Sequence, residues 1–166
     1  MQYSNLHPAL AAALAARGYD TLTPVQSEVL KDEAQGRDLI VSAKTGSGKT
    51  VAFGLAIADQ LLDGDTASWT REPLCLVIAP TRELALQVSK ELEWLFASAG
   101  ARVVTCVGGM DPMKERRALQ GGAHIVVGTP GRLRDHQGQR RGSRTEARLI
   151  AEQFGRRRQP EGDRLA

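Results

Sequence analysis

The sequence predicts an α/β fold in which a parallel sheet is flanked by helices. Short apolar runs alternate along the chain with segments whose apolar residues recur at helical spacing. This alternation indicates helical crossovers, because parallel strands cannot be joined by a tight turn. Strands are predicted at 38–43, 74–79, 103–107 and 124–128, and helices at 6–17, 23–34, 49–62, 81–97 and 113–119.

Proline and glycine positions support the first two helices. Pro8 suits the first turn of the helix at 6–17, and Gly18 suits its C′ position. Pro24 fits an early position of the second helix, and Gly36 ends it. The strands of such a sheet end at one edge, and ligands bind at that edge.

Composition places the chain among single soluble domains. It has 166 residues, 42% hydrophobic and 25% charged. No apolar run approaches the roughly 18 residues that span a membrane, and no secretory pattern begins the chain, so we expect a cytoplasmic protein without membrane contact. Cys75 and Cys106 lie in strand-like runs, which favours buried, reduced thiols. With no CxxC pair and with His7, His124 and His136 scattered, no cysteine or histidine metal site is predicted.

Positive charge is concentrated at the end of the chain. Residues 136–166 contain eight arginines and four acidic residues, whereas residues 1–135 contain 14 basic and 15 acidic residues. We therefore predict a domain at 1–135 and a basic, arginine-rich tail at 136–166. A tail of this composition favours a solvated or disordered segment. The alternative is an amphipathic helix that docks on the sheet edge or on nucleic acid. Its apolar residues are Ala147, Ile150, Ala151 and Phe154.

The strongest local signal is a glycine-rich segment between the predicted strand at 38–43 and the helix at 49–62. Its glycines allow a tight turn that aims backbone amides at an anion, and the helix N-terminus adds partial positive charge. Lys49 is a point charge for the β- and γ-phosphates, and Thr50 offers a hydroxyl to Mg²⁺. The predicted phosphate-binding residues are Ala43, Lys44, Thr45, Gly46, Ser47, Gly48, Lys49 and Thr50.

Four further segments complete a recognisable series. Residues 18–26 read GYDTLTPVQ, residues 80–85 read PTRELA, Gly108-Gly109 follows the third predicted strand, and residues 129–132 read TPGR after the fourth. In this order, with a phosphate loop of the form AxTGSGKT, the segments resemble the motifs of DEAD-box ATP-dependent RNA helicases. Ala43 stands where the common P-loop pattern has glycine, and residue 22 is leucine where the family usually has proline.

The resemblance implies a RecA-like P-loop domain, incomplete at its C-terminal end, that binds ATP and Mg²⁺. On this basis Gln26 reads the adenine edge and Tyr19 stacks on the adenine face, with Tyr3 in the place of a further upstream aromatic. Lys49 and Thr50 are the residues implied in catalysis. Sequence-independent RNA backbone contacts are implied for Thr81, Arg82, Gly108, Gly109, Thr129 and Arg132.

The resemblance fades just after the segment from Leu133 to His136. The family's next strand ends in Asp-Glu-Ala-Asp, and this sequence contains neither that motif nor Ser-Ala-Thr. In the family, the Asp-Glu-Ala-Asp motif supports Mg²⁺ and positions the attacking water. A second domain supplies the positively charged arginine fingers. We therefore expect ATP and RNA binding without meaningful hydrolysis or unwinding by this chain alone. A frameshift or internal deletion near His136 is one hypothesis for the divergence.

The sequence is compatible to different degrees with three functions other than a helicase fragment. A non-catalytic nucleotide- and RNA-binding module that regulates a full-length helicase uses the same residues. A different P-loop enzyme, such as a nucleotide kinase, is opposed by the segments at 18–26 and 80–85. A vestigial fragment is also compatible with the sequence.

Overall fold

The computed structural model describes residues 6–64, 66–70 and 72–138, and its elements follow the predicted alternation. Helices α1 to α7 span Pro8–Ala16, Pro24–Val29, Lys49–Ala56, Ala58–Leu61, Arg82–Phe96, Pro112–Gln120 and Pro130–Gly138, with a 3-10 turn at Asp32–Ala34. Strands β1, β2 and β3 span Cys75–Ile78, Val103–Cys106 and Ile125–Gly128. The strands predicted at 74–79, 103–107 and 124–128 are thus confirmed.

The three strands form a parallel sheet in the order β1-β3-β2, which confirms the predicted fold class. Cys75 and Val103 pair with Ile125 from opposite sides, and the same register continues to Gly128. Central β3 is buried along its length, as a parallel strand covered on both faces should be. Edge strand β1 is only half-buried and ends at the exposed Ile78. Because the strands are parallel, their carboxyl ends share one edge.

Helices cover both faces of the sheet. Neighbouring residues of β3 point to opposite faces, so Ile125 and Val127 join one apolar cluster while Val126 joins another. The larger cluster packs α1, α3 and α5 on the sheet through Leu10, Leu14, Val51, Leu55, Leu92, Leu95 and Phe96. The smaller cluster packs α6 and α7 on the other face through Val104, Cys106, Ala118, Leu119, Ala123 and Leu133.

Most helix ends follow the signals in the sequence. Pro8 opens α1, and Gly18 follows its C-cap with a φ of 73°. The hydroxyl of Thr81 accepts a hydrogen bond from the Leu84 amide at 3.3 Å and caps α5. The carboxylate of Asp111 caps α6 in the same way. The helices predicted at 6–17, 81–97 and 113–119 are confirmed within a few residues.

Two predicted helices are interrupted. The helix predicted at 23–34 ends at Val29, and Lys31 is extended before the 3-10 turn begins. Two acidic residues occupy the first turn of that new segment, a position where negative charge is favoured. The helix predicted at 49–62 divides at Ile57 into α3 and α4.

The buried strand predicted at 38–43 is wrong. This segment has no regular secondary structure, and Leu39, Ile40 and Val41 are all exposed, Ile40 completely. An apolar run forms a buried strand only where a neighbour supplies backbone hydrogen bonds and a face for packing. Among the described residues, β1, β2 and β3 pair within their own sheet and leave this segment without a strand partner.

Some predictions concern residues outside the described ranges. Tyr3 and residues 139–166 belong to this group, so the roles predicted for the upstream aromatic and for the tail stay predictions. Within the described ranges, every helix is too short or too polar to traverse a lipid bilayer.

Candidate functional site

The glycine-rich loop turns directly into the N-terminus of α3. Gly46 and Gly48 have φ values of 79° and 82°, in the left-handed region that favours glycine. Gly48 is the N-cap of α3, and the Ser47 amide donates to the Lys44 carbonyl at 3.2 Å. Lys44, Thr45 and Gly46 are exposed. This backbone arrangement favours binding of an anion at the helix start.

Lys49 folds back over the same loop. Its Nζ donates to the carbonyl oxygens of Ala43 and Lys44, the latter at 2.7 Å. Ser47 Oγ is buried and has no hydrogen-bond partner among the described residues. Thr50 is half-buried in the first turn of α3. An orphaned hydroxyl, a lysine ammonium and a helix N-terminus together fit the phosphates of ATP, and the hydroxyl of Thr50 fits Mg²⁺.

Gln26 joins the segment at 18–26 to the phosphate loop. Its side chain is fully buried. Its Oε1 accepts a hydrogen bond from the Thr23 amide at 2.9 Å, and its Nε2 donates to the Gly48 carbonyl at 3.4 Å. The carboxamide retains a second lone pair and a second N–H, which is the donor and acceptor capacity that an adenine edge requires. The predicted adenine contact stays a prediction, and the loop contact is an additional role.

Tyr19 packs on another aromatic side chain. Its half-buried ring lies 5.9 Å from the ring of Trp94, with an angle of 28° between the planes. The guanidinium of Arg17 lies 4.7 Å from the Trp94 ring, close enough for a cation–π contact. Tyr19 therefore helps attach α1 to α5, and its predicted stacking on adenine stays a prediction.

A second group of predicted residues lies at the carboxyl edge of the sheet. Thr81 and Arg82 begin α5 just after β1, and Arg82 Nη1 donates to the carbonyl of Gly108, just after β2. Thr81, Arg82, Gly108 and Gly109 are all exposed. The Thr129 amide donates to the Cys106 carbonyl at 3.2 Å and so ties the end of β3 to the end of β2. The structure thus brings three sequence-distant segments to one surface.

Arg132 is half-buried, unlike the exposed Thr81, Arg82, Gly108 and Gly109. Only 13% of its side chain is exposed, and its Nε donates to Glu115 at 2.8 Å. Nη1 lies 4.0 Å from the carboxylate of Asp135. Nη2 is buried and has no hydrogen-bond partner in the described part of the chain. A phosphate contact by Arg132 stays a prediction.

Glu115 is a central residue of this region that sequence reasoning missed. Its buried carboxylate accepts a hydrogen bond from the Val107 amide at 3.3 Å through one oxygen, and from Arg132 through the other. The second oxygen is also hydrogen-bonded to Nε2 of His136 at 2.6 Å. Glu115 was missed because it lies in a run of charged residues, and such a run normally indicates a helix face exposed to solvent. The capping Asp111 fixes where α6 begins, and therefore which of its residues face the sheet.

Potential metal ligands meet beside this carboxylate, although the sequence predicted no cysteine or histidine site. Ligand atoms of Cys106, Glu115 and His136 all lie within 4.8 Å of one another. Both oxygens of Glu115 already accept hydrogen bonds. Burial raises the pKa of the Cys106 thiol to about 12, with the Glu115 charge acting in the same direction and Arg132 opposing it. Within the described residues this group is therefore a hydrogen-bonded carboxylate with a buried thiol beside it.

The prediction of buried thiols is confirmed for Cys106, whereas Cys75 is only half-buried. Both cysteines are free. Burial also raises the pKa of Cys75, to about 11.

Known proteins share both the sequence and the fold. Residues 23–151 match the family model described as DEAD/DEAH box helicase. The ATP-dependent rRNA helicase rrp3 of Aspergillus fumigatus is 45% identical over 127 residues, covering 76% of this chain and 26% of that protein. The ATP-dependent RNA helicase RhlB of Xanthomonas oryzae pv. oryzae is 40% identical over 134 residues, covering 80% of this chain and 23% of that protein. The chain spans about a quarter of the length of these relatives.

Solved structures give the same assignment. The RNA helicase Prp28 from Chaetomium thermophilum, bound to ADP, superposes with a TM-score of 0.73 at 38% identity, over 84% of this chain and 34% of that one. A hypothetical ATP-dependent RNA helicase from Sulfolobus tokodaii gives 0.66 at 32% identity, over 79% of this chain and 36% of that one. The chain is therefore a member of the DEAD/DEAH box helicase family, and the part of the family that it represents is the N-terminal RecA-like domain.

Proposed function

We propose that this chain binds ATP with Mg²⁺ and the RNA backbone as the first domain of an ATP-dependent RNA helicase. The observation that carries the proposal is the contact between Gln26 and Gly48, at 3.4 Å. It joins the segment implied in base recognition to the loop implied in phosphate binding. A single ligand that carries both an adenine and a phosphate chain could contact both the segment at 18–26 and the phosphate loop.

In this proposal the phosphate loop stabilises the negative charge of the ATP phosphates. The N-terminus of α3 and the ammonium of Lys49 offset phosphate charge, and the orphaned hydroxyl of Ser47 gains an acceptor. Lys49 exchanges its two carbonyl partners for phosphate oxygens, a stronger charge-assisted contact. Mg²⁺ would supply neutralisation of the phosphate charge, and Thr50 is the residue here that would hold it.

RNA binding is assigned to the exposed carboxyl edge of the sheet. Thr81 and Arg82 lie beside Gly108, which leaves backbone and guanidinium groups accessible there. Such contacts to phosphate and ribose do not depend on base identity, so the proposed interaction is independent of RNA sequence.

We further propose that the chain alone neither hydrolyses ATP at a meaningful rate nor unwinds RNA. Phosphoryl transfer depends on positioned water, metal and cationic groups, and loss of an arginine finger alone costs roughly a thousandfold or more. The sequence contains no Asp-Glu-Ala-Asp or Ser-Ala-Thr motif. We therefore propose ATP hydrolysis and RNA unwinding only for an assembly in which another part supplies the missing water-positioning, metal-binding and arginine-finger groups.

The test is direct binding to the purified chain. Calorimetry measures the binding of ATP with Mg²⁺ to wild type, to Lys49→Ala and to Lys90→Ala, a control at an exposed lysine. We expect Lys49→Ala to lose about 2 kcal/mol of ATP-binding free energy and Lys90→Ala to bind like wild type. Anisotropy of a labelled single-stranded RNA should fall with salt, as backbone binding requires. A folded monomer that binds neither ligand would overturn the proposal. Phosphate release that disappears in Lys49→Ala would overturn its non-hydrolysing part.

A further inference from the structure

Glu115 connects three elements at the RNA-facing edge of the sheet. It lies on α6, its carboxylate accepts from the Val107 amide at the end of β2, and it pairs with Arg132 on α7. Val107 directly precedes Gly108. One side chain therefore contacts the backbone leading into the glycine pair and the arginine that follows β3.

The burial of this carboxylate is costly unless it is fully paired. Glu115 is 3% exposed, and a carboxylate in that environment is tolerated only with opposite charge and hydrogen bonds. Arg132 supplies the charge at 2.8 Å, while Val107 and His136 complete the hydrogen bonds. Such a pair gives little net stability compared with apolar packing, but it fixes geometry. The geometry it fixes here is the spacing between two segments implied in RNA binding.

We propose that Glu115 is a positioning residue for RNA binding: it holds Arg132 and the strand end before Gly108 in one fixed arrangement. This inference rests on the proposed RNA-binding function. Glu115 itself cannot contact RNA favourably, because it is buried and negatively charged. It acts by holding Nε of Arg132. Nη2 of the same guanidinium is buried in this arrangement and has no partner among the described residues, so it keeps a donor that a small shift of the side chain would present to a phosphate oxygen.

The decisive variant is Glu115→Gln, which keeps the size of the side chain. A glutamine has one acceptor oxygen, so it cannot accept from Val107 on one side and from Arg132 on the other. We expect RNA affinity to fall by about tenfold. The slope of log affinity against log salt should become shallower by the amount that corresponds to about one phosphate contact. ATP affinity should stay within about twofold, because the phosphate loop makes no contact with Glu115 in the described residues. Glu93→Gln, an exposed glutamate on α5, is the matched control.

A double-mutant cycle then tests whether Glu115 acts through Arg132. In an Arg132→Gln background, Glu115→Gln should cause little further loss of RNA affinity, since the group it positions is gone. A full additional loss there would overturn the inference. Equal losses of RNA and ATP affinity in the single variant would also overturn it, because they indicate general unfolding. If wild type binds RNA and Glu115→Gln binds it equally well, the inference fails alone. If wild type binds ATP but no RNA, the proposed RNA function fails with it.

Discussion

Nε2 of Gln26 lies 3.4 Å from the carbonyl oxygen of Gly48, so residues 22 positions apart in the sequence meet at the start of α3. The same carboxamide accepts a hydrogen bond from the Thr23 amide at the start of α2. A single buried side chain therefore couples the N-terminal helices to the phosphate loop. Its substitution should affect both stability and ligand affinity.

Gln26→Ala should weaken binding of ATP more than binding of tripolyphosphate. The phosphate loop remains, whereas the group proposed to read adenine is removed. Stability should fall by about 1–3 kcal/mol, because the half-buried Thr23 amide loses its acceptor. Calorimetric titration with both ligands and urea unfolding measure the two effects. Gln35→Ala, at an exposed position, is the control and should change neither. Equal weakening of both ligands would contradict an adenine-reading role.

Gly48→Ala should be more damaging than a comparable substitution elsewhere. A Cβ at Gly48 would lie 2.5 Å from Gln26 Nε2, in addition to the strain of a φ of 82°. Gly36 has a φ of 67° and nothing within 4 Å, so Gly36→Ala carries the strain without the collision. We expect about 1–2 kcal/mol of destabilisation for Gly36→Ala, and more for Gly48→Ala together with loss of ATP binding. Similar unfolding midpoints and ATP affinities for the two variants would argue against the contact.

Gly109→Ala should weaken RNA binding selectively. A Cβ there would collide with Nη1 of Arg82, so the guanidinium must leave the Gly108 carbonyl. The exposed edge would change shape while the phosphate loop stays intact. RNA anisotropy and ATP titration on the same preparation separate these effects. Gly100→Ala has a similar positive φ of 72° and open space, so it controls for strain. An RNA affinity equal to that of this control would contradict the proposed edge.

Stability should fall at alkaline pH because of Cys106. Burial holds its folded-state pKa at about 12, above the ordinary 9.0, so the folded protein keeps the proton that the unfolded chain releases. The stabilising contribution is complete below pH 9.0 and is lost as pH rises towards 12. Urea unfolding at about pH 8 and about pH 10.5 should show a larger decrease for wild type than for Cys106→Ala. Equal decreases would mean that other groups govern the alkaline loss.

Local patterns predicted most of the fold and the phosphate loop, because the relevant residues are close in sequence. Gly46, Gly48 and Lys49 belong to one turn, and their spacing alone implies an anion site. Glu115 could not be found this way. Its partners Val107 and Arg132 lie 8 and 17 positions away, and they meet only after α6 and α7 pack on the sheet.

The error at 38–43 has a different physical origin. An apolar run predicts a strand on the assumption that neighbouring strands exist, and pairing is a property of the whole sheet rather than of the run. Within the described residues that assumption fails, and Leu39, Ile40 and Val41 remain exposed beside the phosphate loop. The exposed Ile78 at the end of edge strand β1 adds to the apolar surface.

Ile40→Lys should therefore reduce self-association without reducing stability. Ile40 is fully exposed, so its replacement removes no buried contact, whereas exposed apolar segments and open strand edges favour association between chains. Sedimentation velocity across a concentration series should show less oligomer for Ile40→Lys than for wild type, with an unchanged urea midpoint. Ala12→Lys, at an exposed position of α1, adds the same charge away from this surface and should associate like wild type. An equal effect of both variants would assign the change to net charge and not to the exposed segment.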